Sequence, residues 1–218
     1  MEEEESVKSG MRKAFFLAVA GGICIALGGI AYLSVENTVI GAVLFTVGLF
    51  AIVTGNLNLF TGRACFLLEH PPAYLLELFV IWLGNLVGAG LVGYAVRLTR
   101  IAPVSERAAL LVQTKLADTP WSVFLLAVFC NVLLFVAVMG FRQNEHEVGK
   151  YIGLFLGVVV FILCGFEHCV ANMFYFSVSN LWSGKAVLYL VIITFGNLAG
   201  AVLVPLIVRL GRGRSAGR

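Results

Sequence analysis

Glu167 and His168 stand side by side in GFEHCVANMF (Gly165–Phe174), with apolar sequence at Ile152–Leu163 before them and at Val170 and Met173–Phe176 after them. A charged group deep in a membrane costs about 2.5 kcal/mol or more, so an ionisable pair there lines a protein cavity or a solute path. Imidazole titrates near physiological pH and can offer an N–H to a passing anion or exchange a proton with it. It can equally bond a backbone carbonyl freed by a helix break and stay neutral. A second polar break, TGNLNLFTG (Thr54–Gly62), carries Thr61, whose hydroxyl can donate to the same solute. Asn56, Asn58 and Asn172 can tie down loop backbone. Glu167 is expected to brace its loop by accepting backbone N–H bonds, because a carboxylate in an anion path repels the anion; for a cationic solute the assignment reverses. Phe45, Leu49, Phe161, Leu59 and Phe60 precede or enter the two breaks. Ordinary packing explains most aromatic residues in such a chain, but lining a path these few form dry constrictions that exclude hydrated ions. A dry constriction beside a histidine suits a weak-acid anion able to cross as its neutral acid. Lys115 either gathers anions electrostatically or is simply solvated.

The elements that position these residues are membrane spans. Of 218 residues 60% are hydrophobic and 12% charged, about half the charged fraction of a soluble domain. Mean hydropathy is +0.98. Charges cluster at Glu2–Lys13, Arg97–Asp118, Arg142–Lys150 and Arg209–Arg218, with long apolar tracts between. The pattern is that of an all-α polytopic membrane protein. The net charge of +3 reflects topology rather than a nucleic-acid surface. The first tract, Ala14–Leu33, is too long for a signal-peptide core and has no small-residue cleavage site, so it is expected to be retained. Glu2–Glu5 read as a solvated tail. Cys24, Cys65, Cys130, Cys164 and Cys169 sit in or beside apolar spans without ligand-like pairing, and behave as small hydrophobes. Neither disulfides nor a metal or other cofactor are expected.

Apolar runs long enough for a ~30 Å core give six spans, at 14–34, 39–69, 74–98, 121–141, 151–180 and 186–209, the second and fifth interrupted by the polar breaks. With both termini inside, ten Lys/Arg flank the spans on the inner side and five on the outer, which orients both termini towards the cytoplasm. GNLVGAGLVGYAVRL (Gly84–Leu98) matches GNLAGAVLVPLIVRL (Gly196–Leu210) at 10 of 15 positions, 112 residues apart. A three-span repeat reverses in the membrane, so 14–98 and 121–210 are expected to be inverted copies within a channel domain at 14–210. A tail at 1–13 precedes it and a basic tail at 211–218 follows. Paired broken helices in inverted repeats place a solute near the midplane. Close packing alone is the simpler reading for Gly84, Gly88, Gly196 and Gly200, with their small-xxx-small spacing.

LFTG (Leu59–Gly62), GNLVGA (Gly84–Ala89), Cys130–Asn131, GFEHCVANMF and GNLAGA (Gly196–Ala201) occur in this order over nearly the whole chain. In these motifs the sequence resembles the formate/nitrite transporter family. The resemblance implies an aquaporin-like six-helix protomer, a homopentamer with one pore per protomer, and passage of small monovalent anions, often with protons. It puts the family's pore histidine on His168, its loop threonine on Thr61 and its vestibule lysine on Lys115. It also groups Phe45, Leu49 and Phe161 as one constriction and Leu59, Phe60 and Leu134 as the other. Two positions depart from the pattern: Asn58 replaces a usual acidic residue, and Arg63 stands where a small or polar residue is common.

The expected function is therefore a multi-pass inner-membrane channel or transporter for formate, nitrite or hydrosulfide, with proton-linked passage past His168. The expected partners are the anion, protons, lipid and four further copies of the chain, and no nucleic acid. The alternatives are a neutral-solute pore of aquaporin or ammonia-channel type, and a membrane-embedded enzyme using Glu167 and His168 as an acid/base pair. Catalysis would want a further nucleophile or metal-ligand cluster, which the sequence does not offer.

Overall fold

The structure is a computed structural model that describes the backbone of residues 2–212 and the side chains of residues 7–211. Most of the expected basic tail lies outside the described residues. Within them the chain is helical: α1 (Glu2–Leu33), α2 (Thr38–Thr54), α3 (Phe60–Ala64), α4 (Tyr74–Val96), α5 (Val104–Ala117), α6 (Pro120–Gln143), α7 (Glu147–Leu163), α8 (Cys169–Ser179) and α9 (Gly184–Arg212), with one 3-10 turn at Leu67–Glu69. Four segments are long and apolar enough to cross a membrane: Val7–Leu33, Tyr74–Val96, Pro120–Gln143 and Gly184–Gly211. The other apolar helices are shorter, with 17 residues in α2 and in α7 and 11 in α8. The acidic start, expected as a solvated tail, is backbone-continuous with α1. The charged segment after α4, for which the sequence reading had no element, contains α5, packed on α8.

Helix ends follow local chemistry. Asn37 caps α2 by accepting from the N–H groups of Val39 and Ile40, at 3.0 and 3.1 Å. Thr119 caps α6 through Ser122 N–H, with Pro120 at the first helical position. The two interruptions share one geometry. Asn56 ends α2 at φ 50° and Gly165 ends α7 at φ 66°, both left-handed. The next residue then reaches back five positions: Leu57 N–H donates to Ile52 O at 2.9 Å, and Phe166 N–H to Phe161 O at 3.0 Å. This Schellman closure turns the chain out of the helix while satisfying its last carbonyls.

Non-helical backbone within an apolar protein needs partners. Asn85 of α4 and Asn197 of α9, both fully buried, supply them. Asn85 Nδ2 donates to Ala18 O and Asn58 O at 2.7 and 2.9 Å, and its Oδ1 accepts Phe60 N–H at 2.8 Å. Asn197 Nδ2 donates to Ala127 O and Glu167 O, both at 2.8 Å, and its Oδ1 accepts Cys169 N–H at 2.9 Å. Each partner in the second set lies 109 residues after its counterpart in the first.

The helices carrying these asparagines press closely on their neighbours. A Cβ on Gly84 would lie 2.7 Å from Ala18 Cβ, and one on Gly196 2.6 Å from Ala127 Cβ, so both positions exclude any larger residue. The same two helices meet where Trp82 Nε1 donates to Thr194 Oγ1 at 3.1 Å, again 112 residues apart.

Candidate functional site

The two breaks bring their polar side chains together. His168 occupies the N-cap of α8, where its Nδ1 accepts Ala171 N–H at 3.1 Å. Its Nε2 lies 2.8 Å from Thr61 Oγ1, across 107 residues of sequence. Because Nδ1 is an acceptor, the neutral ring carries its proton on Nε2 and donates to the threonine oxygen. The Thr61 hydroxyl proton is then free to turn towards a solute. Thr61 is itself held from below: Asn131 Nδ2 donates to its carbonyl at 3.2 Å, and Cys65 Sγ lies 3.5 Å from the same oxygen.

An aromatic wall backs the histidine. The Phe161 ring is nearly parallel to the imidazole, with centroids 5.8 Å apart, and Phe45 meets Phe161 edge-on at 6.2 Å. Phe45, Leu134 and Phe161 are almost fully buried. On one side a cavity of about 40 Å³, room for about one water, is lined by Tyr32, Lys115, Phe161, His168, Asn172 and Tyr175. On the other side a cavity of about 320 Å³ is lined by residues including Leu49, Asn58, Leu59, Arg63, Phe66 and Arg142. Leu49 therefore borders the large cavity together with Leu59, whereas Phe161 borders the small one. Phe60 lines neither. Its side chain borders an apolar crevice of about 260 Å³ between α4 and α9, beside Phe79, Trp82 and Phe195.

Glu167 and Lys115 correct two expectations. Lys115 Nζ reaches Glu167 Oε2 at 2.6 Å, with the side chains only 11% and 3% exposed. The lysine is thus neither free nor fully solvated, and the carboxylate is engaged by side chains rather than by backbone N–H groups. Asn172 Nδ2 donates to the same Oε2 at 2.8 Å and to His168 O at 3.0 Å. A carboxylate paired through Oε2 with a cation and an amide braces the turn at His168 without presenting an unpaired negative charge to an anion. Asn58 does tie down backbone, donating from Nδ2 to Ala14 O at 3.3 Å. Asn56 contributes through its left-handed backbone, its side chain being exposed. The Asn172 and Asn131 Oδ1 atoms are buried acceptors without a partner among the described residues.

Sequence reasoning overlooked Asn85 and Asn197 as the supports of the breaks. Their signal was in view as the asparagine of the repeated GNL, but close packing of its glycine absorbed the motif. Leu59 and His168 are also equivalent, each at the N-cap of the short helix after its break. Only one of the two breaks presents a titratable group at that place.

Comparison with known proteins identifies the family. The chain is 30% identical to the Uncharacterized transporter YrhG of Bacillus subtilis, over 94% of this chain and 89% of that protein. It is 30% identical to the Nitrite transporter NirC of Escherichia coli, over 83% and 73%. A solved structure described as a pentameric formate channel with formate bound shares the fold, with TM-score 0.80, 24% identity, and 94% and 98% of the two chains covered. The family model for the formate/nitrite transporters matches residues 2–211, and this chain belongs to that family.

Proposed function

We propose that this protein is a channel or transporter for small monovalent weak-acid anions of the formate and nitrite class. In this reading α2 with α3, and α7 with α8, each make one broken crossing, so that inverted halves of three crossings enclose a path in every protomer. A homopentamer is proposed on the likeness to the pentameric formate channel, and both termini on the cytoplasmic side of the inner membrane on the Lys/Arg bias. The family consists of transporters, which supports a role without catalysis.

The observation that carries the reading is the contact between Thr61 and His168. An anion shed of water between Leu59 and Phe161 needs hydrogen-bond donors and low net charge around it. The imidazole N–H polarises the Thr61 hydroxyl, and that hydroxyl donates to the anion. Lys115 neutralises Glu167 nearby. The anion takes up a proton drawn from the loading-side solution and leaves with it, so uptake rises as the pH on that side falls.

Formate and nitrite uptake into proteoliposomes tests this, with glycerol and ammonia as neutral comparators. Thr61→Val and His168→Phe are expected to lower anion uptake by at least about tenfold, the factor for one charge-assisted hydrogen bond, while the oligomer stays intact. Full anion flux in both variants would remove the pair from the mechanism.

A further inference from the structure

The 320 Å³ cavity beyond Leu49 and Leu59 has chemistry that the central pair does not use. Arg63 and Arg142 both line it, and no Asp or Glu does. Arg63 Nη2 is held by Glu77 Oε1 at 3.1 Å, outside the lining, while its Nε is buried and has no partner among the described residues. Arg142 has no hydrogen bond or ion pair among the described residues. Its Cζ lies 4.5 Å from the centroid of the Phe66 ring, a contact that engages the cation's face and leaves its N–H edge free. Phe66 N–H in turn bonds Arg63 O at 3.1 Å, which ties the two arginine positions to one short turn. Glu77 offsets one of the two positive charges, so the cavity keeps a net positive balance.

We infer that this cavity is a recognition site for planar oxyanions, with Arg142 as its fork and the guanidinium of Arg63 as a second cation on its wall. Formate and nitrite each present two coplanar oxygens that a guanidinium edge can bind together. Hydrosulfide or a halide presents one acceptor atom and gains only the Coulomb attraction. The cavity holds roughly ten water volumes, so the anion is selected here while still hydrated, before the Leu49–Leu59 slit strips it. The mouth bearing Arg63 thus favours carboxylate- and nitrite-type anions over hydrosulfide. The inference rests on the transport reading above and names the substrate class within it.

The test compares wild type with Arg142→Lys and Arg142→Gln in membrane vesicles of both orientations, measuring half-saturation for formate and for hydrosulfide. Arg142→Lys keeps the charge and loses the fork. It is expected to raise half-saturation for formate about fivefold, the factor for one net hydrogen bond, in one vesicle orientation only, and to leave hydrosulfide unchanged. Arg142→Gln is expected to weaken both anions, formate more. Arg63→Lys, which retains an ammonium for Glu77, is expected to weaken formate in the same orientation. Arg142 is exposed at the end of α6, and an unchanged elution volume checks assembly. If wild type carries formate and Arg142→Lys carries it with unchanged half-saturation, the oxyanion site is overturned while transport stands. Equal losses for both anions in Arg142→Gln, with Arg142→Lys normal, reduce the cavity to unspecific charge and also overturn it. If wild type carries neither anion, the transport reading falls and this inference falls with it.

Discussion

Replacing Asn85 or Asn197 by alanine isolates the stitching of the two breaks. Each side chain serves three buried backbone groups, two carbonyls and one N–H, at 2.7–2.9 Å. Ala18 O and Ala127 O keep their own helical bonds within α1 and α6, which leaves two stranded groups at each site; at about 1–3 kcal/mol for each, a substitution should cost about 2–6 kcal/mol, with relaxation favouring the lower end. The two partner sets have no residue in common, so the double variant should lose roughly the sum of the single losses. Aspartate keeps the acceptor but gives up two amide donors, and should fall between asparagine and alanine only where it is protonated. Equilibrium unfolding in mixed micelles reads the stability, and anion uptake of the surviving protein reads the function. Flux should suffer more in Asn197→Ala, whose lost partners Glu167 O and Cys169 N flank His168, than in Asn85→Ala, whose partners flank Leu59. Losses under about 1 kcal/mol at both sites would refute the stitching argument, because two stranded groups cannot be that cheap.

Lys115→Met leaves Glu167 buried with only Asn172, and should destabilise by about 3–5 kcal/mol, whereas adding Glu167→Gln should recover much of that loss; thermal unfolding of the four forms of the cycle checks it. Gly165→Ala meets no atom within 4 Å but forces a side chain onto φ 66°, so it should cost about 1–2 kcal/mol of stability from backbone strain alone. Uptake of a weak-acid anion by wild type should increase as the loading-side pH is lowered at fixed anion concentration, measured by intravesicular pH dye, and a flat profile would count against proton-accompanied passage.

The breaks were legible because left-handed positions have a short list of occupants. Asn56 and Gly165 fall in polar, glycine-bearing interruptions of long apolar runs, and only a turn makes sense of that composition. The pairing of Thr61 with His168 followed from the repeat, which makes their loops equivalent before any coordinate is known. The partner of Glu167 was not legible. Lys115 sits 52 residues earlier on α5, and only the packing of α5 against α8 brings its ammonium to the carboxylate. α5 itself was obscured by the charges around it, which look like a solvated link until one face is seen to be buried at Val104, Ala108 and Val112. Which cavity Leu49 and Phe60 border was equally hidden, since helical spacing gives a face but not what that face meets.

The Trp82–Thr194 hydrogen bond joins two positions that correspond to each other in the repeat. A contact between corresponding positions occurs where a two-fold rotation carries a site onto its own neighbour, as at an isologous interface. Two identical halves would place like against like at such a spot. A pair of indoles there would bring two N–H donors and no acceptor, and a pair of threonines would leave the space of one large ring unfilled. The donor–acceptor bond therefore requires the halves to differ. At this spot the two copies of the repeated sequence are joined by a difference between them, and a search for the residues that divide their labour can begin at this contact as well as at Thr61 and His168.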